Sequence, residues 1–211
     1  MNRSARAVSA LALAAAAFAP ARAQDPRLGN RLDAPSRTAI LALIDSAKAQ
    51  GIPTQPLVQK MNQGQAMGAD GPRIVAAVRT LAHEMATAHR ALGTVATADE
   101  IQAAASAVHA GVPAVELGKI KKQSGLRRSL TLPFTVLADI VSRGVPVEAG
   151  VNAIKSLVGA GAKDTDINNF QRNVSDDIQK GAPPAAAAET RAKAVPATKP
   201  DASKPEQQDQ N

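Results

Sequence analysis

The sequence predicts an all-α protein built from repeated helix–joint–helix units, and three observations predict it. A Gly-x-Pro joint recurs at Gly51-Ile52-Pro53, Gly111-Val112-Pro113 and Gly144-Val145-Pro146, with Gly181-Ala182-Pro183 as a weaker fourth copy. Apolar residues approach each glycine at helical spacing: Ile44 and Ala47, Ala104 and Val108, Leu137 with Ile140 and Val141, Val174 and Ile178. Between the first two joints, Ile74, Val78, Leu81, Met85, Ala88 and Leu92 follow one another in alternating steps of four and three, the stripe of a long amphipathic helix. Glycine at a helix C′ position takes the left-handed conformation without steric penalty. Proline two residues on suits the first turn of a new helix, where its missing N–H is not needed. The units fit either a small bundle or a short α-solenoid over residues 33–180.

The elements follow in order. Residues 24–32 read as a flexible lead. Asp33 or Ser36 caps a first helix running to about Gln50, with Ile40, Leu41, Ile44 and Ala47 on one face. A short helix with Leu57, Val58 and Met61 comes next. Gly64, Gly68 and Gly71 then mark a glycine-rich loop. It lacks the preceding strand and the lysine of a phosphate-binding loop, so it reads as a connector. Asp70 and Pro72 open the long helix, which Gly93 ends. Thr97 and Glu100 form a capping box for the next, which carries Ile101, Ala104, Ala105 and Val108. Leu117 and Ile120 continue beyond the second joint. Thr131 and Pro133 open a helix through Phe134, Leu137 and Ile140. Val147, Val151, Ile154 and Leu157 make its partner, broken at Gly159–Gly161. Asp164 or Thr165 caps a last helix with Ile167, Phe170, Val174 and Ile178. Residues 181–211 turn to Ala, Pro, Lys, Glu and Gln, a composition that cannot bury a core, and are expected to be a disordered tail.

The N-terminus predicts export. Arg3 and Arg6 precede a run of small apolar residues, and Ala21-Arg22-Ala23 supplies a cleavage site, so residues 1–23 read as a signal peptide. The apolar run is shorter than the ~20 residues of a membrane span. Localisation in the periplasm or outside the cell follows as an expectation. Cleavage would remove three arginines and no acid, lowering the formal charge from +7 to +4. A nucleic-acid partner is a poor fit to that modest charge.

There is no cysteine, which removes disulfides, thiol catalysis and thiolate metal ligands. There is no Trp or Tyr either, so stacking sites for sugars or bases are not expected. Candidate chemistry is sparse. His83 and His89 stand six apart, about 240° around a helix, which does not suit one metal ion. His109 lies on another helix, leaving an enzyme site assembled around the three histidines as the least favoured reading. Asp164-Thr165-Asp166 resembles the start of a calcium loop but lacks its glycine and its final glutamate, so helix capping explains it better. Ser106 and His109 share a helix face without the sequence signature of a nucleophile elbow. No catalytic, cofactor-binding or metal-ligating residue is assigned.

The one dense cationic cluster is Lys119, Lys121, Lys122, Arg127 and Arg128. It offers a contact to anionic lipid, to an envelope polymer or to an acidic partner, against the simpler reading of a solvated helix end. The favoured function is a non-catalytic exported helical protein that binds another envelope protein. Electrostatic docking through the cluster is the alternative.

Overall fold

At each Gly-x-Pro joint the chain turns in the same way, and the turn is set by two backbone hydrogen bonds. In the computed structural model, which describes residues 32–125 and 128–195, the Gly51 N–H donates to the Lys48 carbonyl at 3.1 Å and the Ile52 N–H to the Ala47 carbonyl at 2.9 Å. The same pair recurs at Gly111 and Val112, at Gly144 and Val145, and at Gly181 and Ala182. This is the Schellman closure, in which a left-handed residue lets the chain satisfy carbonyls that the helix end leaves open. The apolar residue after each of the first three glycines is buried: Ile52, Val112 and Val145. Two further joints share the geometry without the proline. At Gly68 and Ala69 the bonds run to Gln65 and Gly64, and at Gly161 and Ala162 they run to Val158 and Leu157.

Nine α-helices and no strand occur among the described residues: α1 (Ala34–Ala49), α2 (Gln55–Ala66), α3 (Gly71–Leu92), α4 (Ala98–His109), α5 (Ala114–Ser124), α6 (Thr131–Ser142), α7 (Val147–Gly159), α8 (Asp164–Gln179) and α9 (Pro184–Lys193). The all-α expectation holds, and the caps fall close to where the sequence puts them. Asp33 accepts from the Ser36 N–H at 2.8 Å and Asp70 from the Arg73 N–H at 2.9 Å. Thr97 and Glu100 exchange both bonds of the capping box.

Several expectations need correction. Gly64 belongs to α2, not to a loop, and a Cβ there would lie 2.8 Å from Ile74 Cγ1, so the glycine lets α2 and α3 close together. The joint prolines sit one or two residues before the helix rather than inside its first turn. Pro113, Pro146 and Pro183 hold ψ between 128° and 138° as N-cap residues, turning the chain before helical geometry begins. At α8 the Lys163 N–H, which the four Gly-x-Pro joints replace with proline, donates to Asp166 at 2.8 Å. Asp166, rather than Asp164 or Thr165, is thus the capping side chain. Leu32, assigned to the lead, is buried, and its carbonyl accepts from Arg37 at 3.1 Å.

The boundary of the expected tail also moves. Residues 184–193 form α9, and Ala187, Ala188 and Ala192 are buried against the neighbouring helices α7 and α8. Arg191 adds a two-pronged ion pair to Asp177 of α8, at 2.6 and 2.8 Å. The Asp177 carboxyl is held below its ordinary range by that guanidinium. The signal-type segment 1–23, the rest of the lead and residues 196–211 lie outside the described residues.

Packing runs along the chain in two rows. One row is α3, α4, α6 and α8; the other is α5, α7 and α9. The long α3 touches α1 and α2 on one side and α4 and α5 on the other, so it joins the first helix pair to the rest. Among the described residues, no substantial contact returns from α8 or α9 to α1 or α2. Neighbour-to-neighbour packing of this kind is that of a short helical array, not a closed ring. The core is aliphatic, with Phe134 and Phe170 as its two fully buried aromatics.

Candidate functional site

A cleft of about 650 Å³ opens where α2, α3, α4 and α6 meet. Its floor is apolar, made by Ala77 and the half-buried Leu81 of α3 and by Ala138 of α6. Leu81 is the one member of the long α3 stripe that is not fully buried, because it faces this cleft. Polar groups stand around the floor: Lys60 from α2, Thr80 and Glu84 from α3, Ser106 and His109 from α4, Asp139 and Ser142 from α6.

These side chains differ in how far they are already engaged. His109 Nδ1 lies 2.7 Å from Glu84 Oε1, tying α3 to α4 across one wall. In the tautomer that donates from Nδ1, Nε2 remains as an acceptor. Asp139 accepts from Arg143 and from Gln171 of α8, both at 2.8 Å. Burial raises the Asp139 carboxyl, but these donors outweigh it and leave it below its ordinary range. Ser106 donates to the Gln102 carbonyl at 3.2 Å. Lys60 is exposed and makes no ion pair among the described residues.

The three histidines do not converge. His109 belongs to the main cleft. His83 is exposed in a separate groove of about 280 Å³ beside α1, and the His89 ring lies close to Gly51. Among the described residues no three His, Cys, Asp or Glu side chains are placed to hold a metal ion. Asp164–Asn169 is helical from its first residue, so the segment is not a calcium loop.

The cationic cluster is divided by the fold. Lys121 turns inward, with only 13% of its side chain exposed, and donates to Glu100 at 2.8 and 3.0 Å. Glu100 is itself buried and also accepts from the Leu130 N–H at 2.9 Å, fastening α4, α5 and the turn before α6 together. Lys119 pairs with Glu116 at 2.7 Å, and Arg128 lies 3.6 Å from Asp164. Lys122 is exposed with no ion pair among the described residues, and Arg127 lies outside them. Lys121 is therefore a structural cation, and the expected single patch of five is corrected to that extent.

Sequence reasoning had no means of finding the cleft. Glu84 and His109 are 25 positions apart and meet only because α3 packs on α4. Lys60 and Asp139 have no local pattern that sets them apart from other surface charges. The fold and cleft define a class: a short all-helical array with a polar-walled cleft across its rows. Compared with protein-family models, curated proteins and solved structures, the chain matches none.

Proposed function

We propose that this is an exported, non-catalytic helical protein that binds another envelope protein through the cleft between α2, α3, α4 and α6. The observation that carries the docking site is the exposed part of Leu81, an apolar floor ringed by polar side chains on helices held by rigid joints. Recognition sites pair an apolar surface with a few convergent polar groups in this way. Export rests on the layout of residues 1–23.

A second reading places the contact at Lys119, Lys122, Arg127 and Arg128, facing an anionic lipid or envelope polymer. It is favoured by the exposure of Lys122, whose ammonium has no ion-pair partner among the described residues. One experiment separates the two. A photo-cross-linking residue is placed at Thr80, which is exposed in the cleft, or at Lys122, and cells are irradiated. Cross-linking of one protein from Thr80, resistant to high salt and lost with Leu81→Glu, supports the cleft. Cross-linking from Lys122 alone, abolished by high salt, favours the electrostatic contact, because exposed charges are screened beyond about 8–10 Å near physiological ionic strength. Silence at both positions overturns both.

A further inference from the structure

A second groove, of about 280 Å³, runs between α1 and α3. The two helices lie side by side and run parallel: Gly71 faces Asp33 and Ser36 at one end, and Gly51 faces His89 at the other. Helical spacing sets this groove on the side of α3 away from the cleft. Ala77, Leu81 and Glu84 turn to the cleft, and Ala82, Ala86 and Arg90 turn to the groove. Arg79, His83, Ala86 and Arg90 follow one another in steps of four, three and four, so they share one helix face. From Arg79 to Arg90 that face is about 16 Å long at 1.5 Å per residue. Arg79, His83 and Arg90 are exposed along the groove's rim. The wall from α1 is neutral, with Ser46 and Gln50, and the Gln50 amide already donates to Ser46. The half-buried Leu43, Ala82 and Ala86 form an apolar floor.

The charge of this groove is uncompensated. No carboxylate lines it, and none of Arg79, His83 and Arg90 makes an ion pair among the described residues. Arg90 donates to the neutral Thr87 hydroxyl at 3.2 Å. The cluster around Lys119 differs, because Glu116, Glu100 and Asp164 stand beside Lys119, Lys121 and Arg128. A recess lined by one sign of charge focuses its field and draws in the opposite sign. The groove is therefore complementary to an anion, and two features narrow its kind. Cations spread over about 16 Å suit a chain of several negative groups rather than a single ion. The apolar floor suits a ligand that brings aliphatic carbon along with its charges, as a peptide does and a polyphosphate does not. Arginine's planar fork also matches a carboxylate in two-point contact. We propose that the groove between α1 and α3 is a docking site, separate from the cleft, for an acidic segment of a partner protein. Its carboxylates meet Arg79, His83 and Arg90, and small side chains between them rest on the floor.

The test titrates the full chain at low salt with short, end-capped, fluorescent peptides, read by anisotropy. One peptide alternates Glu with Ala, and its control carries Gln in place of each Glu. The Glu peptide should bind at least tenfold more tightly, and added salt should erase the difference. Arg79→Glu and Arg90→Glu, at exposed positions, should each lower its affinity at least tenfold with the thermal midpoint unchanged. Lys122→Glu alters the net charge equally but elsewhere, and should lower affinity less than threefold. Equal losses from Arg79→Glu and Lys122→Glu would reduce the effect to overall charge and overturn the site, as would equal binding of the two peptides. Polyphosphate, at a matched concentration of negative charge, tests the other class of ligand. If it binds more tightly than the Glu peptide and loses that affinity in Arg79→Glu, the groove belongs to an anionic polymer and the protein assignment falls. The chain's own residues 196–211 include Asp201, Glu206 and Asp209. A tenfold gain in affinity for protein ending at Val195 would give the groove to that segment and overturn the partner assignment, whereas no gain supports it. Cross-links from Thr80 report on the cleft alone, so the two docking sites fail separately.

Discussion

Removing the Glu100 carboxylate would leave three donors facing the space it fills: the Lys121 ammonium and the N–H groups of Leu130 and Thr97. A nearly buried cation without its partner costs several kcal/mol, so Glu100→Ala is expected to lower stability by about 3 kcal/mol. In a domain of this size that is roughly 10 °C in the thermal midpoint. Burial raises the Glu100 carboxyl, but bonds from Lys121, Leu130 and Thr97 outweigh it, so its pKa falls below the ordinary value. A carboxyl that binds its proton less readily when folded contributes stability above the ordinary glutamate pKa and loses it as pH falls through the lower folded value. The stability gap between the native chain and Glu100→Ala should therefore narrow with acidification, as measured by urea midpoints from pH 7 to pH 3. A gap independent of pH would contradict this account. The capping box of Glu100 is legible in the sequence, because Thr97 stands three residues before it. Its bond to Lys121 is not, because that residue is 21 positions away and reads locally as one more surface lysine.

At the scale of the element, the joint is the most transferable feature of the chain. Gly144, at φ 96°, shows why it needs glycine: a side chain would sit in the left-handed region at a cost of about 1 kcal/mol, and the bonds from Gly144 and Val145 to the last turn of α6 depend on it. The joint at Gly161 lacks the proline yet turns alike, with Asp166 taking the N–H that proline would have removed. The proline presets the chain; it does not create the turn. The same joint at Gly181 is followed by α9, where the Ala-rich composition had argued for disorder. Composition misleads there because Ala187, Ala188 and Ala192 need only a small groove to be buried. Protein ending at Gln179 should lose at least about 2 kcal/mol, counting ~0.8 kcal/mol for each of these buried methyl groups. Protein ending at Val195 should keep the full thermal midpoint. Equal midpoints for the two shortened chains would show that α9 contributes nothing.

For the whole molecule, packing between successive neighbours makes stability uneven along the chain. Helices α3, α4 and α6 have neighbours on both sides, whereas α1 packs substantially only on α3 among the described residues, and α9 only on α7 and α8. In such arrays the ends open more easily than the middle. Native-state hydrogen exchange should find the slowest amides in α3, α4 and α6 and faster ones in α1, α2 and α9. Uniform protection across all nine helices would indicate a single closed core instead. The two rows also explain why the cleft exists. It crosses three successive members of one row, α3, α4 and α6, with α2 at its edge, so no single helix or hairpin contains it.

The sequence by itself determined the helical class, most helix limits and the faces that go inward, because those depend on interactions within a turn or two: caps, left-handed glycines and apolar spacing. It also marked Phe134, Phe170 and the stripe from Ile74 to Leu92 as core. The tertiary structure alone decided how the helices line up, and with that everything that bears on binding. It turned Lys121 inward, kept His83, His89 and His109 from sharing a site, and brought Lys60, Glu84, His109 and Asp139 around one cleft. The physical reason is range. A helix reports its own periodicity within four residues, whereas a charge on its surface acquires a role only from the helix packed beside it.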